Sequence, residues 1–386
     1  MLLPLHLPLP GLRAASTLNI QRPSSVRFIP PPSASAVVDA TAWRAAAAAH
    51  RQRVLHLTGG ALAAPSSSES SAAVERASQA NKERAAGLTR ASHPVYNFLF
   101  TYYAFDPHLL LRFSPGLGRT LRGVSVDEPL LYTGRGWVAH PNGGSGAMDA
   151  RLCKTGVRRS ARVAAEVMRR SSVRAPHLNC YGLHEWAMLY APDAATATPN
   201  KHQSLPLRLS QAELNAVVEG QPIACTHFDA FRFFTPDAAP LNTVQPQPSR
   251  ETQPALEQPG CVHAVMDLFR YAVKLWPYIP SPLLADAFEL AVDARVLDMR
   301  ASPYDLSEYH AQPADATSSS EATDGGSGVF DLSPVRIETA AGRREYQEQQ
   351  AALAARSQPV RRRLIEAYQE AIDVWDAEEL EADGSR

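Results

Sequence analysis

Apolar residues recur along this chain mainly at helical spacing. The clearest stretch runs from Cys261 to Trp276, where Val262, Val265, Met266, Phe269, Ala272, Val273 and Trp276 fall on one face and Pro277 stops the pattern. Ser281 followed by Pro282 marks the start of a second helix, Leu283 to Met299. Helix-forming composition also covers Ala-rich Thr41 to His56, charged Ser71 to Arg90, basic Ala150 to Arg174, and two C-terminal segments, Arg343 to Arg356 and Val360 to Glu381. Ser210 and Glu213 form a capping-box pair that opens a short helix. Strand signals are few. Gly123 to His140 alternates between turn residues and predicts a hairpin, and Ile223, Cys225 and His227 alternate as on a strand. The run HPVYNFLFTYYAF from His93 supplies aromatic residues suited to a core. The expected fold is α+β, helix-dominated, with a few short strands.

Breaks in the pattern organise the chain. Residues 1–39 carry no acidic residue before Asp39 but contain Arg13, Arg22, Arg27 and several serines and prolines, the composition of an organellar transit segment. The expected destination is the plastid stroma, with the mitochondrion as the alternative. A secretory signal does not fit, because Met1 to Leu12 has no Lys or Arg and is interrupted by Pro4, Pro8 and Pro10. Residues 40–91 read as accessory helices and linker, broken at Gly59-Gly60 and Pro65 to Ser68, and residues 92–310 as the core domain. Ala191 to Gln203 and Pro236 to Gln258 read as loops within it. Residues 311–329, with Ser318-Ser319-Ser320 and Gly325-Gly326, read as a disordered insertion, and residues 330–386 as C-terminal helices packed on the core. The most apolar stretch, Val95 to Leu111, contains Asn97, Asp106, Pro107 and His108, so no membrane span is expected.

Composition narrows the chemistry only slightly. At 386 residues, 45% hydrophobic and 20% charged, the chain can bury a sizeable core. A net charge of -1 gives no global pull toward nucleic acid, so a polyanion site would have to be a local basic patch. Four cysteines are too few for a disulfide framework, and reduced thiols are expected.

Three of those cysteines precede a histidine closely: Cys180 before His184, Cys225 before His227, and Cys261 before His263. Each pair has an acid beside it, namely Glu185, Asp229 and Asp267. Thiolate, imidazole and carboxylate are the ligands that zinc or iron accept, so the six Cys and His residues form a candidate metal set. Buried thiols with hydrogen-bonded core histidines explain any one pair better, and all three together equally well. No CxxC occurs, and HEWAM at His184 to Met188 lacks the second His of the HExxH motif, which argues against a zinc knuckle and a zincin. His263 and Asp267, four apart and followed by Arg270 and Lys274, would share a helix face as a general acid/base pair at a cleft or as a solvated stripe. A Cys nucleophile with a His base is a further arrangement these residues allow. Asn142 to Gly146 reads as a plain turn. Two features bear on DNA: Pro115 to Thr120 (PGLGRT), similar to a phosphate-holding hairpin but equally a two-glycine turn, and the arginines at 158, 159, 162, 169, 170 and 174 on one helix, which a solvated face explains better.

HPVYNFLFTYY, LNCYGLHEWAM, CTHFDAFRFFTP, GCVHAVMDLFRYA and LDMRASPYDLS followed by PVRIET resemble a family of bacterial and plant proteins labelled 3-methyladenine DNA glycosylase. The likeness runs from Ser92 through Leu353. It implies a hydrolase that releases alkylated purines from DNA, which needs a flipped base stacked on aromatics and a carboxylate that activates water or steadies the sugar cation. Under that implication Tyr181, Trp186, Phe228 and Phe231 would stack the base, and Asp229, Asp267 or Glu185 would be the acid. PGLGRT is not followed by the lysine and aspartate arrangement of helix-hairpin-helix glycosylases. Two functional classes therefore stand side by side: a hydrolase acting on DNA, and a plastid protein that binds a metal or a small ligand through its Cys/His segments.

Overall fold

The computed structural model describes residues 36–58, 62, 94–96, 98–125, 128–140, 143–193, 205–309 and 330–384. The fold is helix-dominated α+β, with one mixed four-stranded sheet. The strands are β1 (Ala36–Val38), β2 (Arg119–Val124), β3 (Trp137–Ala139) and β4 (Gly144–Met148). Their order is β1-β2-β4-β3, with β1 parallel to β2 and the other two pairings antiparallel. The expected hairpin is thus shifted: its turn is closed by Gly143 N donating to His140 O, and β2 reaches β4 across the sheet. Gly143 and Gly144 take positive φ where β4 begins, as the turn requires.

Helix α1 (Ala40–Leu57) is opened by Asp39, whose side chain accepts from Ala42 N at 2.9 Å. It buries Trp43, Ala47, His50 and Val54, spaced to lie on one face. Trp43 and Ala47 pack with Phe113, Leu121 and Leu131 into a small core on the sheet, whereas Val54 belongs to the large helical core. Helix α2 (Thr155–Ser172) precedes four shorter helices: α3 (Leu183–Ala187), α4 (Gln211–Glu219), α5 (Phe228–Phe231) and α6 (Gln253–Leu256). The capping box of Ser210 and Glu213 opens α4 as its sequence predicts.

The large core sits among α7 (Val262–Leu275), α8 (Ser281–Ala301) and α9 (Ala340–Gly384), with α2 against α9. The two C-terminal helices expected from sequence are one helix of 45 residues with Pro359 in its interior. Proline removes one backbone donor there, a cost of about 3 kcal/mol. The buried series Tyr346, Leu353, Val360, Leu364, Tyr368, Ala371 and Trp375 crosses it without a phase change, so packing against α7 and α8 outweighs that cost.

The strand expected at Ile223 to His227 does not form. Ile223 makes a single bridge to Asn242, and the Asn242 side chain then takes the place of a strand, accepting from Cys225 N at 2.8 Å and donating to Cys225 O at 3.1 Å. The segment is extended but paired with an amide side chain. Among the described residues no helix is long and apolar enough to cross a membrane. Residues 1–35 of the expected transit segment 1–39, the helix expected at Ser71 to Arg90 and the insertion 311–329 lie outside the described residues, whereas residues 36–39 form β1 and the cap of α1.

Candidate functional site

The three Cys/His segments meet in the core. His184 lies in α3, His227 immediately precedes α5, and His263 lies in the first turn of α7. The His184 and His263 rings are 4.4 Å apart edge to face, and His227 and His263 stack at 5.2 Å. All three are buried. His184, 114 residues before its partner, bonds Asp298 Oδ1 of α8 at 2.6 Å. His227 Nε2 bonds Asp267 Oδ2 of α7 at 3.2 Å, with Glu257 Oε2 at 3.9 Å.

Guanidinium groups complete the network. Arg295 of α8 bonds Asp298 and reaches Glu185 at 2.8 Å, fully buried and with its plane over Phe98. Arg270 of α7 joins Asp267 to Asp229, and Tyr103 donates to Asp267 Oδ1 at 3.0 Å. The polar stripe His263, Asp267, Arg270, Lys274 is therefore not solvated over its first half. It faces the two other Cys/His segments and then runs out toward the surface.

Burial and pairing set the charges. Burial alone would keep His184 neutral, but the Asp298 carboxylate outweighs it and raises the imidazole to about 10, so this histidine is an imidazolium at neutral pH. Burial also disfavours the Asp298 carboxylate, yet charged His184 and Arg295 hold it well below the usual carboxylate range. Asp267 likewise overcomes burial through Arg270 and His227 and is held down to about 2. His263 has no carboxylate of its own; burial, and then the charge on His184, push it well below the ordinary histidine value. Burial raises Glu257, and it raises the Cys225 and Cys261 thiols so that they stay protonated.

These thiols are poor metal ligands as they stand: Cys225 Sγ donates to His227 O at 3.6 Å, and Cys180 Sγ lies 3.8 Å from His184 Nδ1. Donor atoms suited to a cation fall in two other groups, His184/His263/Asp298 and His227/Glu257/Asp267, each within 4.8 Å. The fit to a metal differs between them. Tetrahedral ligands roughly 2.0–2.2 Å from a shared ion stand more than about 3 Å apart, which His227 and Asp267 satisfy and the 2.6 Å His184–Asp298 contact does not. Asp298 and Asp267 each also carry an arginine, so cations already neutralise both carboxylates. Among the described residues the Nδ1 atoms of His227 and His263 are buried without a hydrogen-bond partner.

The surface end of the stripe opens into a cleft of about 510 Å³. Asp229 is the carboxylate in its lining, held by Arg270 and by Arg232 Nε at 3.1 Å. Tyr102 and Tyr103 form an aromatic wall, with Tyr102 accepting from Arg232 at 2.8 Å and stacking on Phe98 at 4.8 Å.

The remaining expected site residues are distributed differently. Glu185 is buried against Arg295, away from the cleft lining. Trp186 is wholly buried, its indole donating to Ala301 O at 2.9 Å and Arg208 lying over its ring, so its faces are taken by the protein. Tyr181 is half-buried beside α9, where its hydroxyl accepts from Gln347 at 3.2 Å. Phe231 packs on Phe234, and Phe228 carries Arg250 over its ring. None of these four aromatics lines the cleft, whose aromatic residues are Tyr102 and Tyr103.

Both features that pointed to DNA are largely occupied within the fold, with exposed Arg159 the exception. In PGLGRT, Gly116 N donates to Ser114 Oγ and Leu117 N to Tyr278 O, so these amides turn inward. On α2, Arg158 pairs with Glu378, Arg162 with Asp376, and Arg169 and Arg170 with Glu166, while Arg174 donates to backbone carbonyls of Pro254 and Glu257.

Asp298 and Arg295 went unnoticed in the sequence, although a signal existed: they continue the Leu284, Phe288, Ala291 face of α8, where charged residues are out of place unless paired. Glu257 and Tyr103 carried no such local signal. No protein-family model, curated protein or solved structure matches the chain.

Proposed function

We propose that the protein is a hydrolase working by acid–base chemistry in the cleft, with Asp229 as the reacting carboxylate and an N-glycosidic bond as the bond broken. One observation carries this reading: Asp229 is the carboxylate that lines the cleft, and Arg270 ties it to the buried Asp267–His227 pair. In such a step a water oxygen bonds the sugar C1 as the C1–N bond breaks. The bonding pair leaves on the base nitrogen, and the water proton passes to Asp229. Arg270 and Tyr103 are positioning residues that fix Asp267, and Asp267 orients the His227 ring.

The type of bond comes from the family resemblance, while the site geometry supplies the carboxylate and its setting. The cleft favours an anionic substrate over the cationic base of an alkylated purine, since three arginines and a lysine line it. The test is release of free base from methylated DNA and from nucleoside monophosphates, by the wild type and by Asp229→Asn. We expect release by the wild type and loss of at least about a hundredfold in turnover by the variant, with its melting temperature little changed. Equal activity of the variant, or no base release from either substrate, would overturn the assignment.

A second reading is favoured by the His227/Glu257/Asp267 donor group and its unpartnered His227 Nδ1. There the protein holds a transition metal such as zinc or iron, with His227 and Asp267 as ligands. The metal-to-protein ratio of untagged protein decides it: near one metal per chain, lowered by His227→Ala, supports a metal centre, and none removes it.

A further inference from the structure

The cleft contains more positive charge than the chemistry of Asp229 calls for. Four cations line it, Arg232, Arg250, Arg270 and Lys274, against Asp229 at the wall and Asp267 behind it. Arg270 and Arg232 are committed to those carboxylates. Arg250 and Lys274 make no ion pair within 4 Å among the described residues; the Arg250 guanidinium carbon lies 5.2 Å over the Phe228 ring, and its charge acts on Glu251 beside it in the chain. Two positive charges are therefore left without an ion pair, which matches the charge of a phosphate dianion.

The facing wall adds to this. It is the first turn of α2, through Gly156, Val157 and Ser160. Its N-cap residue, Lys154, provides no side-chain cap, and a Cβ at Gly156 would meet nothing within 4 Å, so backbone lies open to an anion. A lysine and three arginines on one side and the positive end of an 18-residue helix on the other surround the same space. The aromatic wall of Tyr102 and Tyr103 leaves room for an organic group beside the anion, in a volume within the usual range for small-molecule sites.

We infer that the cleft binds the phosphate of a small phosphorylated molecule, held by Arg250, Lys274 and the start of α2. A free monoester fits better than the backbone of a nucleic acid. Of the arginines of α2 beyond the cleft, Arg158, Arg162, Arg169 and Arg170 are paired with acids of α9 or of α2 itself, which leaves Arg159 as a single exposed cation and not a track that could follow a strand. The inference rests on the hydrolase reading only for the location of the site, and it also supplies something that reading lacks. A phosphate that shares Arg232 draws one of the two guanidiniums away from Asp229 once substrate is bound.

Isothermal titration of the full chain with inorganic phosphate, adenosine monophosphate and adenosine tests it, together with a short single-stranded oligonucleotide lacking a terminal phosphate. Expected are binding of the first two, at least about tenfold weaker binding of adenosine, and a further loss of about tenfold for each of Arg250→Gln and Lys274→Gln. Both positions are at or near the surface, and a thermal melt of each variant verifies that the fold is kept. Equal affinity for adenosine and its monophosphate, unchanged binding by the double variant, no binding of any probe, or preference for the oligonucleotide would each overturn the proposal. Phosphate binding without base release would sink the hydrolase reading alone, whereas base release without any phosphate preference would sink this inference alone.

Discussion

Replacing Asp298 by Asn removes the charge on which the buried network turns while keeping its shape. In the native protein His184 titrates at about 10, against an ordinary 6.5, because Asp298 lies 2.6 Å from its Nε2. A histidine raised in the folded state contributes stability that is complete below pH 6.5 and is lost as the pH climbs toward 10. The difference corresponds to a ceiling of about 5 kcal/mol at roughly 1.4 kcal/mol per pH unit, shared with the matching depression of Asp298. Asp298 acts on the other side: held below the carboxylate range, its contribution is present above the ordinary value of 3.8 and fades only in strong acid. In Asp298→Asn burial and the neighbouring cations act on His184 against the Cys180 thiol alone, so the imidazole is expected to be neutral at pH 7 and its share of the alkaline slope to disappear.

The variant should also be less stable at pH 6.5 by about 3–5 kcal/mol, the cost of leaving a buried partner uncompensated. Urea denaturation followed by circular dichroism at pH 6.5, 8 and 9.5 gives both quantities. The wild type should lose stability steadily across this window, and the variant much less. Burial raises the Cys225 and Cys261 thiols in both proteins, and Lys274 is lowered in both, so their effects cancel in the difference. A flat wild-type profile, or two parallel profiles, would refute the claim that Asp298 keeps His184 charged.

Two further outcomes follow from packing. Gly116→Ala should lower stability by about 1–3 kcal/mol in the same urea assay, because Gly116 has φ +76° and an added Cβ would lie 2.6 Å from Pro280 N; an unchanged midpoint would mean that the loop yields freely. All four cysteines are free and buried, so none should react with N-ethylmaleimide at pH 7 in the folded protein and all four should react in denaturant, counted by mass spectrometry. Rapid native labelling of Cys225 or Cys261 would contradict their burial.

What the sequence determined by itself is what depends on neighbours along the chain. Helix α7 follows from apolar residues at helical spacing ended by Pro277, and α4 from the reciprocal bonds of Ser210 and Glu213. The common face of His263, Asp267, Arg270 and Lys274 follows from the helical period alone. The repeated Cys/His/acid grouping marked the three segments that meet, although it suggested thiolate ligands where burial keeps thiols protonated.

Tertiary structure decided whatever depends on residues far apart in the chain. Whether His184 is charged is fixed by Asp298, 114 residues away, and whether Asp267 is free to act is fixed by Arg270, Tyr103 and His227 together. An amide from Asn242 replaced an expected strand, and a continuous buried face carried α9 through Pro359. The cleft itself is assembled from residues between Tyr102 and Lys274 on separate helices and turns. Local propensity and periodicity act over a turn or two, whereas desolvation and Coulomb energy depend on what the completed fold brings within a few ångströms, and that is why the charges of this site were not legible before its helices were packed.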